Sequence, residues 1–239
     1  MADIKVQSSG GGEFDCHLAV PEGAPGPALI IMPAIWGVDE DIRNTARDCA
    51  EKGIVVAAPD LFWRGDSGPM PRTEDGGRRA RARAENRAPQ IEAGVQDLAD
   101  VMAVVKGLPQ CNGRVAVLGL CYGGPYALLG PARLGCDAGF AFHGTGLEEY
   151  LDAVPAIGDR PIRLHWGDQD RVLPPRALAE IREATAGMPN IEITIYPGVG
   201  HGYSGASNAK AWNAAAAEDS WKSAFAALDG LRDAPALSA

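Results

Sequence analysis

Arg114-Val-Ala-Val-Leu-Gly-Leu-Cys-Tyr-Gly-Gly124 is the stretch that decides the fold. Its first five residues form a short β-rich run, the pattern of a strand buried on both faces. Gly119-Leu120-Cys121-Tyr122-Gly123 then has the G-x-nucleophile-x-G spacing of a sharp turn from strand into helix, with cysteine in the nucleophile position. Glycine is required at 119 and 123 because a strained turn leaves no room for side chains there. A thiol at the start of the next helix would feel the positive end of its dipole, which favours thiolate. A structural cysteine in a glycine-rich turn would produce the same five residues; the strand before them tips the reading towards a nucleophile.

Outward from this turn, similar runs recur at Ala28 to Met32, Ile54 to Ala58, Ala138 to Phe142, Ile162 to Trp166 and Ile191 to Tyr196. Helix-like stretches lie near 39–52, 77–107, 123–133, 147–153, 175–187 and 208–229. Strand–helix alternation with continuous apolar strands implies right-handed crossovers and a doubly wound, mostly parallel α/β sheet with helices on both faces. No linker separates two composition regimes, so residues 1–230 read as one domain. Residues 231–239 read as a flexible tail.

In such sheets the chemistry sits just beyond the carboxyl ends of the strands. The run ending at Trp166 is followed by Gly167-Asp168-Gln169-Asp170-Arg171-Val172-Leu173-Pro174, and the run ending at Tyr196 by Pro197-Gly198-Val199-Gly200-His201-Gly202. Nucleophile, acid and histidine thus appear in the chain order expected after such a turn. His201 would take the thiol proton and return it to a leaving group, and Asp170 would fix the imidazole's orientation. Asp168 competes for the acid role; Asp170 is preferred because the loop must leave its strand to reach a histidine, and Asp168 suits a turn-bonding role. His17, His143 and His165 read as structural, although His143 follows a strand and could line a pocket. One oxyanion donor should be the amide of Tyr122. The other should come from Pro33-Ala34-Ile35-Trp36-Gly37; Pro33 has no N–H, which points to Ile35. Trp36 is a candidate pocket wall.

A net charge of −9 over 239 residues argues against nucleic acid and anionic membranes as partners. Against that background Arg72, Arg78, Arg79, Arg81, Arg83 and Arg87 form a local basic stretch; it would attract an anionic substrate, although for most of the six a solvated helix face explains it. The odd set of five cysteines has no CxxC pair and suits neither a disulfide framework nor a structural zinc site. Reduced thiols in a cytoplasm fit it best. Met1 to Gly12 lacks a positively charged segment leading into an apolar run, so no export signal is expected.

With these pieces in place the chain resembles the dienelactone hydrolase (carboxymethylenebutenolidase) family of α/β-hydrolases from about Ile4 to about Leu228. The likeness rests on Ile35-Trp36-Gly37-Val38, Ala58-Pro59-Asp60-Leu61, Glu92 to Leu98, Gly119 to Gly124, Gly167 to Pro174 and Gly200-His201. The resemblance implies a Cys-His-Asp triad at Cys121, His201 and Asp170, and an oxyanion hole from the amides of Ile35 and Tyr122. It implies hydrolysis of a small ester or lactone without metal or cofactor, in breakdown of aromatic compounds. It places a substrate-carboxylate arginine at Arg79. Two positions depart from the family pattern: Ala34 stands where a resting-state glutamate is found, and Gly205 where a second substrate arginine is found. A broad carboxylesterase without charge preference and a non-catalytic small-molecule binder are the other readings. The chain leaves the oligomeric state open between monomer and homodimer.

Overall fold

The structure, a computed structural model, describes residues 1–72 and 76–232, with all their side chains except those of Arg78, Arg79 and Glu85. The described chain divides into two compact units, residues 1–116 with 230–232 and residues 117–229. The eight strands are β1 (Ala2–Gln7), β2 (Glu13–Ala19), β3 (Gly26–Met32), β4 (Val55–Pro59), β5 (Cys111–Leu120), β6 (Ala138–Phe142), β7 (Ile162–Gly167) and β8 (Ile191–Tyr196). The α-helices are α1 (Glu40–Glu51), α2 (Gly76–Asn86), α3 (Ala88–Lys106), α4 (Tyr126–Leu129), α5 (Pro175–Ala184) and α6 (Ala214–Gly230).

In the first unit the strands run in the order β1-β2-β4-β3, with the head of β5 next; the second runs from the tail of β5 through β6 and β7 to β8. β3 pairs parallel to β4, and β7 parallel to both β6 and β8. Every residue of β3, β4 and β6 is buried, as expected of strands covered on both faces. The mostly parallel α/β sheet expected is therefore present.

β1 and β2 add what the apolar runs did not announce. They pair antiparallel from Ala2↔Leu18 to Gln7↔Glu13, and β2 joins β4 antiparallel. Through Glu13-Phe14-Asp15-Cys16 exposed and buried residues alternate, because one face meets solvent. The stretch expected as one helix over 77–107 is two. Pro89 has no N–H to donate back into the preceding turn, and the chain breaks at Arg87. The expected helix over 123–133 is present but irregular: a 3-10 turn at Cys121–Gly123, the four residues of α4, and a π turn over Gly130–Leu134, with right-handed helical backbone at Gly124 and Pro125 between them. Pro131 removes the N–H that would have met the Ala127 carbonyl in a regular helix. The segment expected as helix over 147–153 is a kinked 3-10 stretch, Leu147–Ile157, with Pro155 inside it.

Beyond α6 the backbone stays anchored for two residues. Asn112 Nδ2 donates to the carbonyls of Leu231 and Arg232, at 3.0 and 3.2 Å, and Arg232 donates to the Lys52 carbonyl at 2.6 Å. Residues 233–239 lie outside the described residues.

The core of the second unit packs β6 and β7 against α4, α5 and the 3-10 stretch through Leu128, Ala141, Leu147, Ile157, Leu164, Trp166 and Ile181. Here α4 lies so close to β6 that a Cβ on Gly139 would sit on the Ala127 carbonyl. Gly139→Ala should therefore cost about 1–3 kcal/mol of stability, read as the shift of a urea unfolding midpoint. An unshifted midpoint would show that the helix yields to the methyl group.

Candidate active site

Strand β5 delivers Cys121 on a turn whose backbone is bent for the purpose. Cys121 has φ +49, in the left-handed region, where a side chain bearing a Cβ is strained. The turn holds because its carbonyl is heavily satisfied. The Cys121 oxygen accepts from the backbone N–H of Gly124 and of Thr145, both at 2.9 Å, and from the Thr145 hydroxyl at 3.4 Å. A Cβ at Gly119 would strike the Gly123 carbonyl, and one at Gly124 would lie 2.7 Å from the Gly144 Cα. The glycine requirement thus falls on 119, as expected, and also on 124.

The two loops that carry acid and histidine are joined backbone to backbone in the second unit. Asp168 N–H donates to the Tyr196 carbonyl and Gln169 N–H to the Val199 carbonyl, both at 3.0 Å. Gly167 permits the approach, since a Cβ there would collide with the Val199 carbonyl. Asp168 bonds across to the histidine loop rather than within its own turn: its Oδ1 accepts from Gly198 N–H at 2.7 Å.

These constraints bring together the three residues singled out in the sequence. His201 Nε2 lies 3.0 Å from Cys121 Sγ, and His201 Nδ1 lies 2.8 Å from Asp170 Oδ2. The carboxylate is 1 % exposed, and its other oxygen accepts from Val172 N–H at 2.8 Å and Leu173 N–H at 3.3 Å. Burial opposes the charge on Asp170, but the His201 hydrogen bond and these two amides outweigh it and hold the carboxyl below the usual carboxylate range. Burial likewise works against a charged imidazole. The negative sulfur of Cys121 and the Asp170 carboxylate overcome it and raise His201 from 6.5 to about 10. With its folded value above its unfolded one, His201 contributes stability that is complete below about 6.5 and is lost as pH rises through about 10.

The helical start expected at the thiol is there: Cys121 opens a 3-10 turn, and Gly124, Pro125, Leu129 and Gly130 all keep right-handed helical backbone, which carries the run through α4 into the π turn.

Tyr122, next to Cys121, is 1 % exposed. Ile35 and Trp36 occupy a half-buried turn just after β3 in the first unit, closed by Gly37 N–H donating to the Ala34 carbonyl at 3.0 Å. Arg72 lies 5.8 Å from the Trp36 ring and pairs with Asp39. The side chain of Arg79 lies outside the described residues. His17 bonds Asp3 at 2.8 Å and His165 bonds the Tyr196 hydroxyl at 2.9 Å, the structural roles expected. His143 is different: its ring stands edge-on to that of His201, centroids 4.9 Å apart. Its place right after β6 was the one signal of this in the sequence.

All five cysteines are free thiols, and burial pushes those of Cys16 and Cys49 up to about 12. Among the described residues no helix is long and apolar enough to cross a membrane.

Comparison with known proteins agrees with this architecture. The family model of the dienelactone hydrolase family matches residues 14–230. Carboxymethylenebutenolidase 1 of Cupriavidus pinatubonensis is 33% identical over 205 residues, covering 86% of this chain and 87% of that protein. Carboxymethylenebutenolidase of Pseudomonas putida is 31% identical, covering 86% of each. A dienelactone hydrolase-like promiscuous phosphotriesterase from metagenomic libraries has the same fold, with a TM-score of 0.81 at 17% identity over 97% of this chain and 98% of that one. With a family model spanning nearly its whole length, and relatives above 30% identity, the chain belongs to the dienelactone hydrolase family and is a hydrolase acting on ester or lactone bonds.

Proposed function

We propose that the chain opens a small ester or lactone carrying a carboxylate, through a thioester formed on Cys121. The observation that carries this reading is His201, which bridges the sulfur and the Asp170 carboxylate at 3.0 and 2.8 Å. In the first step the Cys121 sulfur attacks the substrate carbonyl carbon, and the carbonyl π electrons move onto oxygen. The amides of Ile35 and Tyr122 are the proposed donors to that oxyanion. As the tetrahedral species collapses, the C–O bond breaks and the proton on His201 Nε2 passes to the departing alkoxide. In the second step His201 takes a proton from water, and the hydroxide so formed attacks the thioester. The sulfur leaves as thiolate while the imidazole keeps the proton, which restores the starting pair. Asp170 keeps Nδ1–H engaged throughout, so Nε2 is always the nitrogen facing the reaction.

The carboxylate preference rests on Arg79, which the family resemblance assigns to substrate binding, with Trp36 as a wall of the same site. Ala34 and Gly205 lack the charged groups of the dienelactone-opening relatives. A dienelactone-like lactone stays first among the substrates, with another small anionic ester or lactone next to it. A broad carboxylesterase is the second reading, because glycine at 205 removes one of the two cations that would enforce charge selection. We place the enzyme in a reducing cytoplasm, in keeping with five free thiols, where it would act in breakdown of aromatic compounds as a monomer or homodimer.

Cys121→Ala should lower turnover at least ~10³-fold in a screen of matched charged and neutral lactones and esters, dienelactone included, with the unfolding transition unchanged. Retained turnover would refute the thioester route. Arg79→Ala should reduce kcat/KM for carboxylated substrates about tenfold or more while neutral esters change little; equal losses on both would favour the broad esterase.

A further inference from the structure

Next to the Cys121–His201 pair stands a third soft donor. His143 directly follows β6, is 5% exposed, and has φ +42 in the left-handed region, a strained backbone for a residue with a Cβ. Several contacts hold it there. Its N–H donates to the His165 carbonyl at 2.8 Å, its ring meets Tyr203 edge-on at 5.3 Å, and its Nε2 lies 2.8 Å from the Ser204 hydroxyl. One donor atom each from Cys121, His143 and His201 lies within 4.8 Å of the other two.

We propose that Cys121, His143 and His201 form a binding site for a soft divalent transition metal ion, Zn²⁺ foremost, and that occupancy turns the hydrolase off. One thiolate and two imidazoles are a ligand set that zinc prefers over harder ions. Zinc–sulfur and zinc–nitrogen bonds of about 2.3 and 2.0–2.1 Å set tetrahedral donors roughly 3.3–3.6 Å apart. The Sγ–Nε2 pair at 3.0 Å must therefore open slightly, and His143 must close in from within 4.8 Å. Both imidazoles already carry the outer partner that orients a metal-ligating histidine: the Asp170 carboxylate on His201, and the Ser204 hydroxyl on His143. Binding is an exchange of charges. The metal forms bonds to sulfur and to Nε2 of His201, the proton on that nitrogen is released to solvent, and water completes the fourth position. The ion occupies the lone pairs that attack the carbonyl and accept the proton, so a metal here inhibits. Cys16 and Cys49 do not compete, since burial keeps both thiols protonated.

The site shares two residues with the hydrolase reading but not its chemistry, and it is tested without substrate. Zn²⁺ is titrated into the reduced full-length chain, with iodoacetamide labelling of Cys121 as one readout and Co²⁺ absorption as the other. One equivalent of Zn²⁺ is expected to slow labelling at least tenfold, reversibly with a chelator. Co²⁺ should give a thiolate-to-metal charge-transfer band with intense four-coordinate visible bands, absent in Cys121→Ser. His143→Gln should raise the Zn²⁺ Kd about 10–100-fold, and Ser204→Ala, which keeps all three donors but releases the ring, should raise it severalfold. An unchanged Kd in both variants would reduce the site to the Cys121–His201 pair and overturn the inference. A charge-transfer band that survives Cys121→Ser would place the metal elsewhere and do the same.

Discussion

One contact, sulfur to imidazole at 3.0 Å, sets the terms for the whole second unit. To make it, β5 must end in a turn that puts a non-glycine residue at positive φ, and the chain after β8 must return an imidazole to the same place. Neither element does this alone. The turn is fixed by the carbonyl of Cys121, which accepts three hydrogen bonds, and the imidazole by a carboxylate itself gripped by two amides. The strain at Cys121 is thus balanced by hydrogen bonds that leave its sulfur free of the backbone.

The features legible in the sequence were those written locally. Fully buried strands appear as unbroken apolar runs, and the glycine spacing around Cys121 reports a turn with no space for side chains. Cys121, Asp170 and His201, which the structure brings into contact, stand in the chain order that the strand order allows. Asp170 could be separated from Asp168 because only the residue further along the loop has length to reach away from its strand. The missed features depend on what covers a residue. β1 and β2 alternate exposed and buried positions, so a search for continuous apolar runs passes over them. Pro89 and Pro131 are visible in the sequence, yet their cost to a helix is decided by which carbonyls lose a partner. His143 is one residue past a strand end, indistinguishable in sequence from a histidine that merely fills space; only packing sets its ring against that of His201.

Under the proposed function, reaction and selection are divided in the chain. Cys121, Asp170 and His201 lie within the second unit. Ile35, Trp36 and Arg79, assigned to the oxyanion and the substrate, belong to the first, as does Ala34, one of the two departures from the family pattern. A family built this way can keep its bond-breaking chemistry while loops elsewhere in the chain set which ester is accepted.

Gly167 illustrates how such a site constrains its own ancestry. It neither titrates nor touches a reactant, but the Val199 carbonyl fills the place its side chain would take, and the acid and histidine loops meet across that absence. A side chain at 167 would hold the two loops apart, for reasons of clearance alone. The geometry thus depends on two different things, groups that meet and gaps that let them approach.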